Sequence, residues 1–96
     1  MTELNYIPVP NRIRVCHYPQ VPCDPFRVGV NSEWEAYLIV ETLAKQHLWL
    51  YENKMIPDYC NAIIVEMWDA EDGWVDYYNE TEVMDWEEFV QTYFEK

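Results

Sequence analysis

Cys16, His17, Cys23, His47 and Cys60 are of the residue types that ligate metals or act as nucleophiles. Three thiols and two imidazoles suffice for one tetrahedral zinc, which two thiolates grip when two to four residues separate them. Here Cys16 and Cys23 lie seven positions apart across a proline-rich segment. Cys16 and His17 are neighbours, so on a strand their side chains point to opposite faces. This spacing favours small buried hydrophobes and a loop thiol over a metal centre. A cysteine-based metal-binding regulator through Cys16, Cys23 and Cys60 stands as an alternative. Asp69, Glu71 and Glu80 fall at the first, third and twelfth positions of a calcium-loop pattern. Its sixth position, where the sharp turn needs glycine, is Trp74, and Gly73 comes one place early.

Catalysis finds no better footing. Two glycines, Gly29 and Gly73, build no phosphate-cradling loop, and the sole serine, Ser32, is not in a G-x-S-x-G elbow. Numerous exposed carboxylates are not a tuned acid–base pair in a cleft, and nothing in the spacing positions a Cys–His dyad. The sequence therefore predicts a non-enzymatic protein without metal or other cofactor.

What the chain does concentrate is negative charge threaded with aromatic rings. Of the formal charge of −12, residues Glu66 to Lys96 carry eleven acids and one base, whereas Met1 to Val65 carries seven acids and five bases. Such a surface repels phosphate backbones and anionic membranes, which excludes direct nucleic-acid and membrane binding. Its candidate partner-binding residues are Glu66, Trp68, Asp69, Glu71, Asp72, Trp74, Asp76, Tyr78, Glu80, Glu82, Glu87 and Glu88. Spaced carboxylates imitate a phosphate backbone, and tryptophan and tyrosine are enriched among interface hot spots. A basic, nucleic-acid-binding protein is the partner that such a surface fits. Solvation is the competing account of the charge, although self-repulsion on this scale exceeds what solubility requires.

These residues must be positioned by one domain's worth of chain, 96 residues that are half apolar. Met1 to Asn11 holds prolines and no periodicity and reads as an irregular N-terminal segment. Arg12 to Tyr18 alternates as a strand, PQVPCDP reads as a rigid loop, and Phe26 to Val30 follows as a second strand with Gly29 a candidate bulge. Ser32 and Glu35 make a capping box for a long helix. Its expected apolar stripe runs through Tyr37, Val40, Ala44, Leu48, Tyr51 and Met55, and Pro57 ends it. Asn61 to Asp69 and the run after Gly73 predict a hairpin around Asp-Gly, with a loop of two or four residues. Its register puts Ile63, Val65, Met67, Val75 and Tyr77 on one face, and Ile64, Glu66, Trp68, Trp74, Asp76 and Tyr78 on the other. Asp85 caps a short final helix whose apolar side is Trp86, Phe89, Val90, Tyr93 and Phe94. The order β-β-α-β-β-α makes a single α+β domain, a mainly antiparallel sheet of about four strands with helices on one face.

RVCHYPQVPCDPF and WDAEDGWVDYYNE together resemble the small acidic proteins carried by bacteriophages and mobile elements. That resemblance implies a bacterial cytoplasm and an accessory role against a host protein, of the anti-defence or nucleic-acid-mimic type. The N-terminus has neither a basic region nor an apolar core of an export signal, and no apolar run is long enough to cross a bilayer. Both features agree with a cytoplasmic location. The alternative role is a small structural or assembly subunit, a homodimer that pairs through the non-core face of the hairpin.

Overall fold

The computed structural model describes residues 6–18, 24–55 and 62–95. In chain order the elements are β1 (Ile13–Tyr18), β2 (Phe26–Val30), α1 (Glu33–Glu52), β3 (Ala62–Asp69), β4 (Gly73–Asp76), β5 (Tyr78–Asn79), β6 (Met84–Asp85) and α2 (Trp86–Tyr93). The four longer strands form an antiparallel sheet of order β2-β1-β3-β4, and β5-β6 is a separate ribbon. The fold is thus α+β, as the alternation of strand and helix signals predicts. Among the described residues, no helix is long and apolar enough to cross a membrane.

Register decides what each sheet face carries. Val15 lies opposite both Val28 and Val65, and Met67 lies opposite Val75. Directly opposed residues share a face, so Ile13, Val15 and His17 join Val65 and Val75 on the inner side. There they meet Ala36 of α1 and Phe89 of α2, which together with Tyr6 and Tyr77 form the core. The outer side receives Arg14 and Cys16 from β1 and Arg12 just before it, Arg27 from β2, Ile64, Glu66 and Trp68 from β3, and Trp74 and Asp76 from β4. Gly29 pairs with Arg14 in unbroken register, so the expected bulge is absent.

Both helix starts follow their capping signals. The Ser32 hydroxyl accepts from the Glu35 amide at 3.1 Å, and the Asp85 carboxylate accepts from the Glu88 amide at 2.9 Å. Glu35 reaches back one residue further than a reciprocal box requires, accepting from the amide of Asn31 at 3.1 Å. The expected stripe of α1 is wrong by roughly a fifth of a turn. Glu33, Ala36 and His47 are its buried residues, with Val40 and Leu43 packed beside the core, whereas Leu48, Tyr51 and Met55 are exposed. A core face containing a carboxylate and an imidazole misleads any reading by hydrophobicity. The helix also ends before Pro57, at a cap on Asn53 followed by Lys54 in the left-handed region, φ 58°.

The β3–β4 hairpin has the predicted register, with Trp68 opposite Trp74 and Glu66 opposite Asp76. Its loop is Ala70 to Asp72, three residues rather than two or four, and Gly73 follows at φ 77°. Tyr78 does not continue the hairpin. It pairs with Asp85 in the β5–β6 ribbon, whose two-residue strands are too short to leave a periodic signal. The proline loop at residues 19–23 and the segment at 56–61 lie outside the described residues. Tyr6 to Asn11 forms no helix or strand, yet Tyr6 is buried edge-on against Phe89 at 4.8 Å.

Candidate interaction surface

The outer sheet face holds the two tryptophans of the hairpin, and β1 brings arginines to them. Strand alternation aims Arg14 outward, the β1–β3 register sets it opposite Glu66, and Arg12, just before β1, is held beside β3 by its carbonyl, which accepts from the Trp68 amide at 2.8 Å. Arg14 Nε donates to Glu66 Oε1 at 2.7 Å, and the same guanidinium lies 4.1 Å from the ring centre of Trp74. Arg12 sits 5.1 Å from the Trp68 ring and 5.5 Å from that of Trp74. The two indoles meet edge to face at 5.5 Å. Cys16 Sγ donates to Glu66 Oε1 at 3.2 Å, and burial pushes this thiol's pKa up, with the Glu66 hydrogen bond adding to the rise. All three arginines of the chain, Arg12, Arg14 and Arg27, therefore share one sheet face. Trp68 and Trp74 are not covered by α2; arginines cap them instead.

The predicted acidic residues separate by what they touch. Asp69 is structural: its Oδ1 accepts from the amides of Glu71 and Asp72 at 2.8 and 2.9 Å. Those bonds, Asp72's first, hold its carboxyl below the usual range. Glu82 accepts from the Tyr93 hydroxyl, a bond that raises the phenol's pKa. Glu87 and Glu88 stand in the first turn of α2, where the helix dipole favours them. Glu71, Asp72, Asp76, Tyr78 and Glu80 are exposed. Among the described residues, Arg14–Glu66 is the only ion pair of a lysine or arginine with a carboxylate.

Two acidic grooves result. One, of about 360 Å³, runs beside β3 and brings Asp76, Asp85 and Glu87 together with Ile63, Ile64 and Trp86. The other, of about 270 Å³, lies under the N-terminal segment and holds Asp69, Tyr78 and Glu80 with Val9 and Asn11. Glu71 and Asp72 belong to neither and project at the hairpin tip.

A buried polar cluster escaped sequence reasoning. Glu33 is fully buried at the start of α1. Its Oε2 accepts from the Tyr77 hydroxyl at 2.8 Å and from the Val9 amide at 3.0 Å. Asn79 Nδ2 donates to the Tyr77 oxygen at 3.3 Å and to the Ile7 carbonyl at 2.7 Å. Burial drives the Tyr77 pKa far up, and the negative charge of Glu33 adds to it against the opposing Asn79 bond. The cluster ties the N-terminal segment to α1, the end of the hairpin and β5. A glutamate in a first helical turn gives no sequence signal of burial.

Among the described residues, the soft-ligand side chains do not converge. Cys16 faces outward to Glu66, while His17 faces inward and meets His47 of α1 edge-on at 5.4 Å. Cys23 and Cys60 lie outside the described residues. Among the described residues, no three His, Cys, Asp or Glu side chains are grouped to hold a metal ion.

An acidic α+β chain of this size is consistent with the small phage proteins that its sequence resembles. A family model for superinfection exclusion gene product 17 matches residues 12–96, and this chain belongs to that family. It is similar to the superinfection exclusion protein of Salmonella phage P22, at 36 % identity over 86 residues, covering 77 % of this chain and 84 % of that protein. No solved structure matches it.

Proposed function

We propose that this chain serves superinfection exclusion as a non-enzymatic binding protein in the bacterial cytoplasm, occupying a basic, nucleic-acid-binding site on a host protein. The observation that carries this reading is a set of exposed acids with no lysine or arginine partner among the described residues: Glu71 and Asp72 at the hairpin tip, Asp76 in the groove with Asp85 and Glu87, and Glu80 in the other groove. Unneutralised carboxylates at a groove steer a basic partner rapidly and disfavour acidic ones. The anchors of such a contact are the exposed edges of Trp68 and Tyr78, which are 37 % and 40 % exposed. Asp69 and Glu66 support this surface rather than contact the partner, because hairpin amides and Arg14 already engage them.

The test is a pull-down from host lysate, with and without nuclease, using the chain and a variant with Glu71, Asp72, Asp76 and Glu80 changed to Lys. The expected result is a basic protein that survives nuclease, elutes with salt and is lost from the variant, while the circular dichroism of the variant stays native. Equal capture by both forms overturns the proposal.

A further inference from the structure

The outward side of α1 carries a second pattern, unrelated to the acidic surface. Opposite its core residues, positions 34, 38, 41, 45, 48 and 52 recur at alternating steps of four and three, the spacing that holds one stripe of a helix on one side. They are Trp34, Leu38, Glu41, Lys45, Leu48 and Glu52, with Trp49 alongside. Trp34, Leu38, Leu48 and Trp49 are 44 %, 45 %, 44 % and 52 % exposed. Large apolar side chains grouped on one exposed helix face mark an interaction site rather than the scattered exposure normal for a monomer. Trp34 is held in place by Tyr37, stacked at 5.5 Å, and by Phe94, edge-on at 5.1 Å.

The stripe is complementary to its own reverse. If a second α1 lies antiparallel about a two-fold axis at position 43, Leu38 faces Leu48 of the other copy and Glu41 faces Lys45. Trp34 faces Glu52, whose carboxylate is an acceptor for an indole N–H. Each pairing occurs twice, as an isologous interface demands. The charges settle the direction, because a parallel pair would set Glu41 against Glu41 and Lys45 against Lys45. We infer that α1 is a homodimer interface in which two copies pack antiparallel along this stripe. The four exposed apolar side chains offer on the order of 400 Å² per copy. Interfaces are a little over half apolar, so this corresponds to about 700 Å² per copy, near the ~800 Å² of a specific complex.

Sedimentation velocity on the full chain across micromolar concentrations tests the inference. A dimer is expected, and Leu48→Glu, at an exposed position, converts it to monomer. Glu41→Lys and Lys45→Glu each turn two attractions into two repulsions and weaken dimerisation about tenfold. The double exchange Glu41→Lys with Lys45→Glu restores it to within about threefold of the parent. Thermal melts of the single variants establish that the fold is intact. A monomer at every concentration overturns the inference, as does a dimer indifferent to Leu48→Glu or to the single reversals. The Glu71, Asp72, Asp76 and Glu80 variant remains dimeric, which separates this outcome from that of the acidic surface.

Discussion

Arg14→Ala removes more from this protein than its surface position suggests. The side chain donates to Glu66 at 2.7 Å and stacks 4.1 Å from Trp74, and both ionic side chains are only 21 % exposed. A cation over an indole at a partly desolvated site contributes about 1 kcal/mol. The charge-assisted hydrogen bond to a half-buried carboxylate contributes about 1 kcal/mol more. The expected loss is about 2 kcal/mol in urea denaturation followed by tryptophan fluorescence and circular dichroism, with an unchanged denaturant slope. Arg14→Lys keeps the charge and loses the planar stack and the Nε donor, so it recovers about half of that loss. A double-mutant cycle with Trp74→Leu returns a coupling of about 0.5–1 kcal/mol. A loss below about 0.5 kcal/mol, the level of an ordinary surface substitution, or a coupling of zero refutes the view that arginines cap these tryptophans. Because the variant also releases Glu66, association with a basic partner becomes faster at low salt.

Tyr77→Phe leaves the buried Glu33 carboxylate with the Val9 amide alone, at a cost of about 2–3 kcal/mol in chemical denaturation; a loss under about 1 kcal/mol refutes a charged hydrogen bond there. The raised Tyr77 pKa stabilises the parent fully below the unfolded phenol's value of 10.0, and this contribution is lost as pH rises above it. The alkaline decline of stability is therefore shallower in Tyr77→Phe. Asp69 has the opposite sign: its lowered pKa stabilises the fold above the unfolded value of 3.8 and is lost as pH falls through the folded value. Asp69→Ala accordingly flattens the acid limb of the urea midpoint below about pH 4 and speeds hydrogen exchange at Glu71 and Asp72; an acid limb as steep as the parent's excludes this role.

What was legible in the sequence was local. Ser32 and Asp85 announce their helices because a cap and its N3 residue lie within one turn, and Asp-Gly with flanking alternation announces the hairpin register. The arginine cap was not legible, since Arg14 and Glu66 are separated by 51 residues of intervening chain and meet only through the β1–β3 register. The stripe of α1 is illegible for a different reason. Its inward side buries Glu33 and His47 while its outward side carries two tryptophans and two leucines, so hydrophobicity points partly the wrong way. The candidate surface was legible as a composition and not as a geometry. Charge counting merges acids that the fold divides between hairpin turn, ion pair, helix start and open groove.

That division narrows where any recognition by this surface resides. Glu66 neutralises Arg14, Asp69 closes the hairpin turn, and Glu82 holds Tyr93. Glu87 and Glu88 gain from the dipole of α2. Each of these has a structural reason to be acidic that needs no partner. Glu71, Asp72, Asp76 and Glu80 have none: they are exposed, and no described lysine or arginine pairs with them. Solubility alone is served by acids interspersed with bases over the whole surface. Here the three arginines gather on one sheet face, two of them against the tryptophans, so the remaining acids are left unopposed around the hairpin tip and the grooves. Their mutual repulsion acts against the fold. On the reading proposed above, a basic partner would relieve that repulsion on binding, and the expected outcome is an affinity that falls with added salt even as the free protein becomes more stable.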